Sequence, residues 1–133
     1  MQNALPSAVT REQLYDLLDE YLAALKARDY SKVRWAPFVK NTENNVELMI
    51  GDGLWGTITA IGDYDLRFAD TASGQVGFFG TVTETVETCA FTLRLGVVDG
   101  AIAEAETLVV RQLDAGLMFE PQVFEHKPVL NEI

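Results

Sequence analysis

One cysteine, one histidine and no apolar run long enough to span a bilayer set the first limits on this chain of 133 residues. Cys89 has no second cysteine with which to form an internal disulfide. Cys89 and His126 are the only thiol and imidazole, and no H-E-x-x-H, C-x-x-C or calcium-loop spacing occurs, so a dedicated metal site is not expected. Gly51-Asp52-Gly53 lacks both the following Gly-Lys-Ser/Thr of a phosphate loop and the strand-to-helix G-x-G-x-x-G. No nucleotide cofactor, and no other cofactor, is therefore expected. Basic residues are scarce as well: 10 Lys and Arg against 20 Asp and Glu leave a formal charge of −10. That balance repels a phosphate backbone, so nucleic acid is not an expected partner, and without a spanning apolar run neither is a membrane. The opening MQNALPSAVTREQ lacks the basic segment and apolar core of a secretory signal, which makes a soluble, cytoplasmic protein the expectation.

What the chain does contain is strand. Gln75 to Thr85 and Cys89 to Val98 are rich in β-branched and aromatic residues and flank a short polar break. Asp99-Gly100 then supplies the pair whose positive φ angles a type I′ hairpin needs, and Ala101 to Arg111 follows as a third strand. Asp63 to Ala69 alternates Tyr64, Leu66 and Phe68 with Asp65, Arg67 and Ala69, the period of a half-buried strand. Four long antiparallel strands are expected, curved where Gly74, Gly77, Gly80 and Gly96 interrupt the side chains.

The N-terminal half reads as helix. Thr10-Arg11-Glu12-Gln13 has the form of a capping box, and Leu14, Leu17, Leu18, Tyr21, Leu22 and Leu25 then recur at helical spacing on one face. Tyr21 lies mid-face, its hydroxyl either satisfied as a core tyrosine or turned to a site. Asp29 can cap a short helix over Tyr30 to Arg34 that Pro37 stops. Phe38 to Glu43 and Val46 to Ile50 form two short strands about Asn44-Asn45, with Glu43 either a solvated turn carboxylate or a pocket base. Leu54 to Ile61 is a candidate helix presenting Leu54, Trp55 and Ile58. The chain divides into a domain over residues 1–112 and an arm over 113–133, which carries Pro121, Pro128, Phe119, Phe124 and His126 and packs on the domain or on a partner subunit.

This order of elements, helix, short helix, strand pair, helix and four strands, resembles the α+β cone of the ketosteroid isomerase-like, or SnoaL-like and nuclear transport factor two-like, group. Locally, Tyr21-Leu22-Ala23-Ala24-Leu25, Asp29 and Trp35-Ala36-Pro37 resemble the opening of that group. Thr42-Glu43-Asn44, Gly51-Asp52-Gly53-Leu54-Trp55, Phe68-Ala69-Asp70 and Gly74-Gln75-Val76-Gly77-Phe78 resemble a branch of unassigned activity in fungi and bacteria. The resemblance implies that Tyr21 stands at the position of the oxyanion-hole tyrosine and Glu43 at that of the proton-abstracting aspartate. Arg94 stands near the place of the second oxyanion donor, where an arginine replaces a neutral acid.

A carboxylate base, a phenolic donor and a cation suffice to move a proton beside a carbonyl or hydroxyl without a cofactor. The expected activity is a cofactor-independent lyase or isomerase acting on a hydrophobic aromatic or polycyclic small molecule. The relatives that the resemblance brings include polyketide cyclases, terpenoid isomerases and lyases that release formaldehyde from lignin-derived dimers. Glu43, Tyr21 and Arg94 are the expected catalytic set; the alternative is that Glu43 is a solvated turn residue and Arg94 a surface ion-pair partner. Trp35, Trp55, Tyr64 and Phe68 either line an aromatic pocket or serve as core, and His126 is either a surface residue or, if the arm closes that pocket, an acid. Glu104 and Glu106 share one face of the last strand, the solvated one. A homodimer is the expected assembly. The rivals are a binding module that uses the same cavity without chemistry and an assembly domain that works through the sheet's outer face.

Overall fold

A computed structural model describes residues 9–111 of the chain. The capping box forms as its spacing predicts: the Gln13 amide donates to Thr10 Oγ1 at 3.0 Å and the Thr10 amide to Gln13 Oε1 at 2.9 Å. A cap of this kind contributes about 1 kcal/mol. It starts α1 (Arg11–Ala27), whose Leu14, Leu17, Leu18, Tyr21, Ala24 and Leu25 are buried. The helix ends where Arg28 turns to φ 54°. Asp29 accepts from the Ser31 amide at 3.1 Å and starts a single 3-10 turn over Tyr30–Lys32, shorter than the expected helix.

Seven strands follow: β1 (Trp35–Glu43), β2 (Val46–Glu47), β3 (Ile58–Ile61), β4 (Leu66–Asp70), β5 (Gln75–Glu84), β6 (Glu87–Val98) and β7 (Ala101–Val110). A one-turn helix, α2 (Leu54–Thr57), precedes β3. The helix expected to reach Ile61 stops at Thr57, because Thr57, Ile58 and Thr59 are β-branched and Ile58, Ala60 and Ile61 find partners on β5. The sheet runs β2-β1-β7-β6-β5-β3, with β4 also on β5. Asp99 and Gly100 take φ 50° and 76° in the β6–β7 turn, as the Asp-Gly pair requires.

Two expectations need correction. The sheet is mixed: β4 to β7 are antiparallel, but β1 runs parallel to β7, with Glu43 opposite Thr107. Parallel neighbours need a long crossover, and here everything from β2 to β6 provides it. β4 is also short, and its faces are the reverse of what its alternation suggests. Arg67 faces α1, where its guanidinium meets Asp19 at 2.9 Å and lies over the Tyr15 ring, while Phe68 lies across Gly77 and is 62% exposed.

The core fills the space between α1 and the inner sheet face, where Val76, Phe78, Val82, Phe91, Leu93, Leu95, Ile102, Ala105 and Val109 meet the helix leucines. Among the described residues no helix is long and apolar enough to cross a membrane.

Candidate functional site

Glu43 ends β1 on the inner face because of the turn that follows it. Asn44 and Asn45 both take positive φ, and the Asn44 side chain grips β7 twice: Nδ2 donates to the Val109 carbonyl at 3.1 Å, and the Val109 amide donates to Oδ1 at 2.8 Å. The Asn44 amide adds a bond to the Thr107 carbonyl at 2.9 Å. Pinned in this way, the Glu43 carboxylate points under α1, with its side chain 16% exposed. Its Oε1 accepts from the Leu54 amide at 2.7 Å, and its Oε2 lies 3.5 Å from Arg111 Nη2. The carboxylate passes so close to Gly53 that a Cβ there would fall 2.6 Å from Oε1.

Tyr21 reaches the same place from the helix. Its ring meets Trp55 and Trp35 edge-on at 5.4 and 5.8 Å, and burial is almost complete. Burial pushes the phenol well above its ordinary value; a hydrogen bond from the Trp55 indole opposes that shift, and the Glu43 carboxylate adds to it. The hydroxyl thus stays protonated at any ordinary pH and can act as a hydrogen-bond donor, not as an acid that gives up its proton. Tyr21, Asn41, Glu43, Leu54, Trp55 and Thr107 enclose a cavity of about 10 Å³. That is about the least space that holds one water.

Beside Glu43 lies an ion pair that the sequence reading did not identify. Arg111 donates through Nε and Nη2 to both oxygens of Glu84, each at 2.7 Å, and Glu84 also accepts from Thr57 Oγ1 at 2.7 Å. The guanidinium holds Glu84 below the usual carboxylate range, and the same contact raises Arg111 further. Glu43, Arg111 and Glu84 therefore form one carboxylate–guanidinium–carboxylate chain.

Arg94 is not part of it. In the register it stands opposite Gly77 and Glu106, one step out of phase with the inward Leu93 and Leu95. It lies on the outer face, bound to Glu104 at 2.8 Å, Gln75 at 3.1 Å and Glu106 at 3.5 Å. The expected trio is thus divided between two faces of the sheet, because a strand reverses its side chains at every residue. The signal that would have found Arg111 is the alternation Ala105, Thr107, Val109, Arg111, and Glu84 keeps the phase of Val82 in the same way. The aromatic set divides too. Trp35 and Trp55 join Tyr21, whereas Tyr64 packs on Phe79 at 5.9 Å on the outer face and Phe68 is exposed. Glu104 and Glu106 lie on the outer face as expected. His126 and the arm over 113–133 lie outside the described residues. Among the described residues no group of three or more His, Cys, Asp and Glu is placed to hold a metal ion.

No protein-family profile and no curated protein matches this chain. Solved structures do. A proposed polyketide cyclase from Xanthomonas campestris aligns with a TM-score of 0.61 at 13% identity over 74% of this chain and 90% of its own. A candidate ketosteroid isomerase from Kribbella flavida aligns at 0.55 and 17% identity, over 83% and 82%. A nuclear transport factor two-like protein from Cytophaga hutchinsonii aligns at 0.57 and 11%, over 82% and 94%. Likeness at such low identity speaks for architecture and not for chemistry. The chain has the α+β cone fold that ketosteroid isomerase-like and nuclear transport factor two-like proteins share.

Proposed function

We propose that this protein is a cofactor-independent acid–base catalyst, a lyase or isomerase, for a hydrophobic aromatic or polycyclic small molecule. One observation carries the reading: Glu43 and Tyr21 converge on one buried point between helix and sheet. Glu43 is the proton acceptor and Tyr21 the donor to the oxygen on which negative charge develops. Arg111 takes the place in this reading that Arg94 held in the sequence-based one. Its Nη2 lies 3.5 Å from Glu43 Oε2, which puts a cation beside the candidate base.

Proton abstraction can be tested before the product is known. A panel of neutral aromatic and polycyclic ketones is incubated with the protein in D2O, and deuterium uptake beside the carbonyl is followed by NMR. Wild type exchanges at least one such compound, Glu43→Gln slows that exchange by roughly 10²- to 10⁴-fold, and Tyr21→Phe by about 10²-fold. Exchange in Glu43→Gln within a few-fold of wild type would remove Glu43 as the base.

A second reading, a binding module without chemistry, draws on a specific observation: both Glu43 oxygens already have partners, and the space beside them is small. It gains if a panel compound binds and no exchange occurs.

A further inference from the structure

Trp55 occupies the position that a ligand of Glu43 and Tyr21 would need. Its indole is buried, packs on Tyr21 at 5.4 Å, Tyr30 at 6.3 Å and Trp35 at 6.4 Å, and hydrogen-bonds the Tyr21 hydroxyl. The remaining cavity is about 10 Å³, whereas small-molecule sites usually offer ~300 Å³ or more.

The element that carries Trp55 is weakly held by its own backbone. α2 is four residues long, and helices so short are marginal without tertiary contacts. Gly53, its N-cap, offers no side chain, so the Glu43 carboxylate serves as the cap from β1 through the Leu54 amide. Gly51 and Gly53, at φ 101° and 67°, flank Asp52 just before the helix and can absorb a change of backbone direction.

The geometry points to a ligand site beneath α2 in which Trp55 is an internal stand-in, and to a flat, neutral aromatic of about two fused rings bearing one hydrogen-bond donor as the compound that replaces it. This rests on the acid–base reading, because the site is the same. The ring size follows from the indole that is displaced. The donor follows from the Tyr21 oxygen, which now accepts the indole N–H and on displacement accepts a ligand hydroxyl or N–H, while the Tyr21 proton stays free to donate to the oxygen on which charge develops. Neutrality follows from charge: Glu84 holds Arg111 through both oxygens, so an anionic ligand would meet the Glu43 carboxylate without a matching cation from that pair. Displacing α2 also releases Glu43 Oε1 from the Leu54 amide, so ligand entry frees the base.

The test uses the full-length protein labelled with 5-fluorotryptophan, whose two fluorine resonances are assigned with Trp35→Phe. Adding 2-naphthol moves the Trp55 resonance of wild type toward its solvent-exposed position, and 2-naphthoate at equal concentration does not. Calorimetry on Trp55→Ala, checked for folding by circular dichroism, gives affinity for 2-naphthol roughly 10- to 1,000-fold tighter than wild type, because no stand-in has to leave. In Tyr21→Phe the preference for 2-naphthol over naphthalene disappears. A Trp55 resonance that stays in place at saturating 2-naphthol overturns the inference, and so does equal binding of 2-naphthoate. Binding by Trp55→Ala with wild type silent at millimolar probe overturns it too, since the mutation would then have made the cavity. The outcomes separate from those of the acid–base reading: exchange lost in Glu43→Gln beside an unmoved Trp55 removes only this inference, and a displaced Trp55 with exchange intact in Glu43→Gln removes only the other.

Discussion

Arg111→Met keeps most of the aliphatic bulk and deletes the guanidinium that Glu84 holds through two bonds of 2.7 Å and that lies 3.5 Å from Glu43. The side chains of Glu84, Glu43 and Arg111 are 12%, 16% and 29% exposed. Exposed ion pairs contribute about 0.2–1 kcal/mol. Stranding the partner of a fully buried pair costs about 3–5 kcal/mol. This arrangement lies between those limits, so the expected loss at pH 7 is about 2 kcal/mol, or roughly 7 °C in Tm for a domain of this size. The pH dependence has a definite sign. Arg111 holds Glu84 below the usual carboxylate range in the folded state. The stabilisation is therefore complete above the unfolded carboxylate value of ~4.3 and is lost as the pH falls through the lower folded one. Urea unfolding of both proteins between pH 7 and pH 3 should show the widest gap at neutral pH and a narrowing gap below pH ~4. A gap under about 0.5 kcal/mol at pH 7, or one that stays constant down to pH 3, would refute the argument.

Arg94→Met, on the opposite face, should change stability by no more than about 0.5 kcal/mol and leave deuterium exchange untouched; a loss of exchange would return Arg94 to the site. Asn44→Ala removes both side-chain bonds to Val109 at a residue with φ 50° and should cost about 2 kcal/mol in denaturant unfolding, and it should also slow exchange by misplacing Glu43. Phe68, Leu108 and Val110 leave apolar surface exposed on the outer sheet face, so sedimentation at micromolar concentration should show a dimer that Phe68→Asp weakens; a monomer throughout would end the homodimer proposal.

Local chemistry was enough for much of this protein. The Thr10–Gln13 cap, the leucine face of α1, the Asp99-Gly100 turn and the three long strands β5 to β7 each depend on residues adjacent in the chain or one turn apart, and a sequence carries such information directly. The helical face put Tyr21 on the buried side of α1. Its role and that of Glu43 came from the resemblance to the ketosteroid isomerase-like group, since Glu43 at the turn read equally as a solvated carboxylate or a pocket base. Trp55 was visible as an aromatic in a short helix, though nothing nearby in the chain shows that it donates to Tyr21.

The rest depended on register and on long-range pairing. Whether Arg94 or Arg111 stands beside Glu43 is a question of strand phase, in which an error of one residue exchanges the two faces of the sheet. The same holds for Arg67 and Phe68 on β4, where a cation is drawn under α1 by Asp19 and an aromatic is left outside. The parallel pairing of β1 with β7 joins residues more than sixty positions apart, and that pairing sets Glu43 beside Thr107 and grips Asn44 at Val109. The sequence determined which residues could do acid–base chemistry. Only the tertiary structure decided which of them share one buried point, because closing so long a loop is favourable only once the intervening strands have formed the sheet that receives it.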